Sequence, residues 1–289
     1  MDVRSYINVA QQGAATEIQR ATVCLFGVYG DVPIPHGTGV LVRIDDAHFI
    51  FTAAHVAALA KMGTPMTIAD FAQPGDFITL AGAAIVASSG EGGSEDAFDL
   101  AVVRLPDGTA AAIAKSKRFL RLSDIDSKHR ATRGTWYYLQ GFPSEPALPD
   151  MQARKVRARF LRYGGTRNDP PEPDFVDGLY IDVAARNVGL IDETGAPAVI
   201  TTRDGVSGCG LWWLFDVDDL KSGSWSPESL RYVGIVHTWR TDREYIRGTR
   251  VEYALQMIAA QWPDLKAAML VSLNLARPLQ KLQKLGFTK

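Results

Sequence analysis

From Thr22 onward the chain consists of short runs rich in β-branched and aromatic residues, each closed by Gly, Pro, Asp or Asn. Such residues fit a pleated surface and the closing residues interrupt one, so this texture restricts the fold to many short strands. The runs read as strands at Thr22–Val28, Gly39–Ile44, Phe49–Thr52, Phe77–Val86, Leu100–Leu105, Thr135–Gln140, Lys155–Tyr163, Leu179–Val183, Gly210–Phe215 and Tyr232–Trp239. Strands at this spacing predict antiparallel sandwiches or barrels rather than a βαβ repeat. Asp45-Asp46 predicts a hairpin turn.

The two ends have a different texture. Ile7 through Ile18 predicts a short helix. Between Glu252 and Leu285, Leu255, Ile258, Ala259, Trp262, Leu265, Ala268, Met269 and Leu273 recur at helical steps of three and four. Pro263 and Pro278 interrupt that pattern, which predicts two helices. The expected division is an N-terminal segment 1–20, a first barrel 21–125, a second barrel 126–251 and C-terminal helices 252–289.

Composition narrows the function classes. With 46% hydrophobic and 22% charged residues the 289-residue chain suits a globular protein, and a net charge of −1 argues against a dominant nucleic-acid footprint. Cys24 and Cys209 are too few for a disulfide framework and stand in no zinc-type cluster. Met1–Arg20 holds no apolar run of signal-peptide length, and no stretch reaches 18 apolar residues. The expectation is a cytoplasmic protein with no membrane or nucleic-acid partner and no metal or organic cofactor. His36, beside Pro35, and His48 and His129, among polar neighbours, are expected to be solvated. Of the adjacent Trp212 and Trp213, one is expected in the core and one on the opposite strand face.

Three stretches carry potential chemistry. The first runs through Gly37-Thr38-Gly39 to Thr52-Ala53-Ala54-His55, the second is Asp96-Ala97-Phe98-Asp99-Leu100-Ala101-Val102, and the third is Asp204-Gly205-Val206-Ser207-Gly208-Cys209. A serine hydroxyl needs a neighbouring base to act as a nucleophile, and a histidine base needs a carboxylate to fix its tautomer. A glycine-rich turn can aim N–H groups at a developing oxyanion. These residues occur together in the order His, Asp, Ser. Asp99 opens the apolar strand directly and is preferred to Asp96 as the carboxylate.

The three stretches resemble the trypsin-like (chymotrypsin-fold) serine peptidases. Thr52-Ala53-Ala54-His55 is similar to that family's T-A-A-H motif, and Asp99-Leu100-Ala101-Val102 to its strand opening in Asp. Gly205-Val206-Ser207-Gly208 resembles its G-D-S-G-G motif, with Val206 and Cys209 as departures. Gly234-Ile235-Val236 and Gly248-Thr249-Arg250-Val251 resemble a cleft-lining strand and the last strand before a terminal helix. The resemblance implies an all-β fold of two antiparallel six-stranded barrels with a C-terminal helical extension, forming one peptidase domain.

It also implies roles: His55 as base, Asp99 as its orienting carboxylate, Ser207 as nucleophile, and the N–H groups of Gly205 and Ser207 as oxyanion hole. Thr201, His237, Thr238 and Trp239 would line the substrate pocket. Arg240 either contacts an acidic substrate side chain or faces water. Cys209 reads as a small interior side chain, with a nucleophilic thiol as the alternative. The implied partner is a protein or peptide substrate. Two other readings stay open: a catalytically silent binding module, and an effector switched on by a protein partner, since such domains occur in bacterial signalling and antiviral systems.

Overall fold

The computed structural model describes residues 3–269 apart from 31, 62, 71, 74, 75, 89–97, 145–148, 151–154, 157–159, 170, 173, 186–189, 192–196, 199–204, 219–224 and 241. Helix α1 (Val3–Ala21) leads into β1 (Thr22–Tyr29), β2 (Val32–Ile44) and β3 (Ala47–Thr52). Helix α2 (Ala54–Lys61), β4 (Met66–Ala69), β5 (Phe77–Thr79), β6 (Ala84–Ala87), β7 (Ala101–Arg104) and α3 (Asp107–Ala114) follow. The second half holds β8 (Thr135–Gly141), β9 (Pro149–Asp150), β10 (Lys155–Val156), β11 (Leu161–Thr166), β12 (Tyr180–Ala184), β13 (Leu190–Ile191) and β14 (Pro197–Ala198). It closes with β15 (Gly210–Asp216), β16 (Arg231–Arg240), β17 (Tyr245–Arg250), α4 (Val251–Gln261) and the single turn α5 (Lys266–Met269).

The fold is all-β at its centre, with two curled antiparallel sheets and a C-terminal helix. The first sheet runs β5-β4-β1-β2-β3-β7-β6 and the second β12-β17-β16-β15-β8-β11-β13-β14. Among the described residues they have seven and eight strands rather than six each. Gly82, at φ 74°, breaks the single strand expected over Phe77–Val86 into β5 and β6. The second sheet gains the two-residue strands β13 and β14. The Asp45-Asp46 connection is the expected hairpin turn, with Asp45 at φ 53° and Ile44 paired to Ala47.

Strands near the middle are buried on both faces, which explains their unbroken apolar runs. Leu41 and Ile50 face the interior of the first barrel with Val23, Leu25 and Val103. Their neighbours Val40, Val42, Phe49 and Phe51 face a central core shared with Tyr138, Trp212, Tyr232 and Ile235 of the second sheet. Trp212 belongs to that central core, whereas Trp213 packs against the interior of the second barrel.

Both helical ends close the central core. Tyr6, Ala10, Ala14 and Ile18 recur every four residues and are all buried there, so α1 is a structural element longer than the predicted short helix. Gly13 lets it approach Trp225, since a Cβ would lie 2.5 Å from that ring. Lys117 donates to the carbonyls of Gln19 and Thr22 at the end of α1, and burial lowers its ammonium pKa to about 8. Helix α4 adds Ala254, Leu255 and Ile258 to the core and ends ahead of Pro263, as the pattern predicts; Pro278 lies outside the described residues. Among the described residues no helix is long and apolar enough to cross a membrane. Ile18 is fully buried; its replacement by Ala is expected to lower unfolding free energy by about 2–5 kcal/mol in urea denaturation.

Candidate active site

His55 sits in the first turn of α2, three residues after the end of β3. Asp99 lies two residues ahead of β7 in the left-handed region at φ 38°, a conformation aspartate tolerates better than most residues. Both neighbours of Asp99 are fastened. The Phe98 carbonyl accepts the Thr249 hydroxyl at 2.6 Å, and the Leu100 N–H donates to Ser88 Oγ at 3.0 Å.

The Asp99 carboxylate then engages His55 twice. Oδ1 accepts the His55 backbone N–H at 3.0 Å, and Oδ2 lies 2.6 Å from Nδ1. Burial raises the Asp99 pKa, but the His55 hydrogen bond and the charges of His55 and His237 outweigh it and hold the carboxyl below its ordinary value. With Nδ1–H directed at Asp99, the neutral ring carries its lone pair on Nε2. Asp96 lies outside the described residues.

Ser207 is carried on a turn between two left-handed glycines, Gly205 at φ 88° and Gly208 at φ 86°. No side chain fits either. A Cβ on Gly205 would lie 2.6 Å from the Phe142 carbonyl oxygen, and one on Gly208 would lie 2.1 Å from that of Thr38. The same Gly208 position is 3.1 Å from the Ala53 nitrogen, so the turn rests on the segment leading into His55. Among the described residues the N–H groups of Gly205 and Ser207 have no hydrogen-bond partner, and neither does the Ser207 hydroxyl. The structure therefore brings the Ser207 turn to the His55–Asp99 pair without a hydrogen bond between hydroxyl and imidazole.

Thr38 is the residue that sequence reasoning passed over. Its N–H donates to the Ser207 carbonyl at 2.9 Å and its hydroxyl to the Gly205 carbonyl at 2.8 Å. The hydroxyl oxygen accepts the Phe142 N–H at 3.0 Å, and the Thr38 carbonyl accepts the Thr52 hydroxyl at 2.7 Å. Two of these bonds tie the turn to Thr38, the third ties Phe142 of the second half to the same hydroxyl, and the fourth fastens Thr38 to the end of β3. The available signal was the flanking glycines: a Cβ would meet Val56 at 2.4 Å from Gly37 and Ile50 at 2.4 Å from Gly39.

The remaining candidates fall as follows. Cys209 is 0% exposed in the second barrel's interior, where burial pushes its thiol pKa up. His237 is the extra residue at a bulge in β16 between Val236 and Thr238, with Nδ1 2.9 Å from the Thr238 hydroxyl. Trp239 packs edge-on to Tyr163 at 5.3 Å. Arg240 is paired with Asp242 at 2.8 Å on the surface. Thr201 lies outside the described residues.

Three histidines correct the sequence reading. His129 is not solvated but 4% exposed, with Nε2 2.9 Å from the Tyr137 hydroxyl and its ring 5.4 Å from that of Trp213. Its N–H donates to the Asp126 carbonyl, a turn that points the ring inward while Lys128 and Arg130 stay exposed. His36 is half-buried near His55; burial, then the His55 charge, lowers its pKa. His48 lies edge-on to Phe119 at 4.7 Å and is also partly buried.

Two predictions follow from this geometry. Thr38→Val leaves the Phe142 N–H and the Gly205 carbonyl without the hydroxyl, so urea denaturation is expected to show a loss of about 1–3 kcal/mol. Asp99 has a depressed folded-state pKa, so its stabilisation is complete above its ordinary value of 3.8 and is lost as pH falls through the lower folded value. Denaturation series are therefore expected to show Asp99→Asn less stable than wild type at pH 7, with the gap closing as the pH falls below 3.8 through the depressed folded-state value.

No protein-family profile and no curated protein sequence matches the chain. Solved structures similar to it include a thermostable serine protease from an extremophilic microorganism, at 11% identity, TM-score 0.48 and coverage of 84% of this chain and 96% of that one. A scabies mite inactivated protease paralogue has 14% identity and TM-score 0.47, over 85% and 94% of the two chains. A Glu endopeptidase has 14% identity and TM-score 0.45, over 84% and 90%. The fold assignment rests on the two sheets themselves rather than on likenesses this distant.

Proposed function

We propose that the chain is a serine endopeptidase acting through a Ser-His-Asp triad and an acyl-enzyme intermediate. The observation that carries this reading is the 2.6 Å pairing of His55 Nδ1 with the buried Asp99 carboxylate. The adjoining turn, whose Gly205 and Ser207 N–H groups are unengaged among the described residues, supports it. In the proposed reaction Ser207 Oγ attacks the substrate carbonyl carbon while its proton passes to His55 Nε2. Asp99 stabilises the imidazolium, and the N–H groups of Gly205 and Ser207 hold the tetrahedral oxyanion. The imidazolium then gives its proton to the departing amine, and water repeats the sequence to release the acyl group. His237, Thr238 and Trp239 are proposed as one wall of the substrate cleft, because a bulge next to a site re-aims the side chains of its strand.

One observation favours a second reading. The Ser207 hydroxyl makes no hydrogen bond to His55 among the described residues, as expected of a silent scaffold or of a protease awaiting a protein partner. Such bonds also tighten only when substrate binds. A fluorophosphonate probe separates the readings. Labelling of the wild type that disappears in Ser207→Ala is the expected result, and labelling that persists in the variant contradicts the assignment. An absence of wild-type labelling favours the second reading. In a labelling-competent protein, Asp99→Asn is expected to lower kcat about ten-thousandfold in a peptide-hydrolysis assay.

A further inference from the structure

The connection from β11 to β12 is fastened mainly by charge. At its start the Asn168 N–H donates to the Asp182 carbonyl. At its end the Leu179 carbonyl accepts the Arg250 N–H, and the Gly178 carbonyl accepts the Tyr253 hydroxyl. Among the described residues between these anchors, three carboxylates reach arginines in three different places. Asp169 pairs with Arg133 ahead of β8 at 2.6 Å, and Glu172 with Arg243 in the β16–β17 turn at 3.7 Å. Asp174 pairs with Arg247 of β17 through two bonds of 2.9 and 3.1 Å. Apolar contact is slight: the Phe175 ring lies 6.5 Å from that of Tyr180, and Val176 is exposed.

The surface beneath Asp174 adjoins the proposed cleft wall. Arg247 pairs with Thr238 across β16 and β17, and its guanidinium lies 4.5 Å from the centroid of Tyr180, whose ring is 6.0 Å from that of His237. The Arg247 side chain is 6% exposed and that of Asp174 57%. Buried Asp182 holds the same guanidinium from within by two bonds of 2.8 Å. Departure of Asp174 therefore orphans no buried cation, which is what makes breaking most buried pairs costly. It also relieves repulsion: burial raises the Asp182 pKa, Arg247 opposes this, and the charges of Asp174 and Glu172 add to the rise. The other two pairs are at least partly exposed, and such pairs are weak and screened by salt.

We propose that Asp169, Glu172 and Asp174 fasten a strap that salt releases. With both ends anchored, the part carrying Asp174 and Phe175 leaves β17 and uncovers the Arg247–Tyr180 stack beside His237 and Thr238, which widens the cleft along that wall. The effect on substrate entry rests on the peptidase reading, whereas the release itself does not.

Backbone hydrogen exchange of the full chain tests the release and needs no activity. Rates are compared at pH 7 in about 0.05 M and about 1 M sodium chloride, which shortens the screening length several-fold. The Phe175 and Leu179 N–H groups bond to the Glu172 and Val176 carbonyls within the strap. They are expected to exchange about tenfold faster at high salt, while the Asn168 and Arg250 N–H groups at the anchors stay slow. In Asp174→Asn the same two groups are expected to exchange faster than in wild type already at low salt. Rates equal at the two salts, or unchanged in Asp174→Asn, overturn the proposal. So does an acceleration that extends equally to the β16–β17 ladder, because that reports unfolding of the sheet.

Discussion

The backbone and hydroxyl of Thr38 join the two barrels at the place where the chemistry would occur. One residue of the first sheet holds the carbonyls of Gly205 and Ser207, and through them the conformation of the turn between. The N–H groups of Gly205 and Ser207 are left unclaimed among the described residues, while their carbonyls are the groups engaged. Preorganised donors of this kind need no reorganisation when negative charge develops. The strand that carries Thr38 is fixed in turn by burial on both faces, so the rigidity of the turn derives from the packing of the whole first barrel.

Three left-handed residues, Asp99, Gly205 and Gly208, concentrate around the same point. Such positions persist only where surrounding contacts over-determine them. Contacts from the opposite barrel contribute in each case, beside Phe142, Pro143 and Ser144 at Gly205, His55 at Asp99 and Val236 at Gly208. Thr249 of the second sheet fastens Phe98 beside Asp99, while Thr38 and Thr52 of the first sheet enclose Gly208. Each half thus adds contacts to the other's part of the site. The shared core, closed by α1 and α4, serves the site as much as overall stability.

Much of this was legible in the sequence, for a physical reason. The β-branched runs and turn residues mark strands locally, and most of the expected strands occur within a few residues of their predicted bounds. The Phe77–Val86 run failed because Gly82 adopts a turn that periodicity does not reveal. His55, Asp99 and the Ser207 turn were recognisable because their residue types and order are constrained together. Thr38 was not, because its role depends on bonds to Gly205 and Ser207, far away in the chain. His129 misled for a similar reason: its exposed neighbours gave no sign of the inward turn at Asp126.

The central claim is that Ser207 faces both His55 and a preformed pair of N–H donors. A crystal structure of the chain reacted with a peptidyl boronic acid tests it most directly. The account predicts boron bonded to Ser207 Oγ, with one boronate oxygen about 2.7–3.1 Å from the Gly205 and Ser207 nitrogens and the other beside His55 Nε2. Boron on a different side chain, or a Ser207 adduct whose oxygens turn away from both N–H groups, would contradict it.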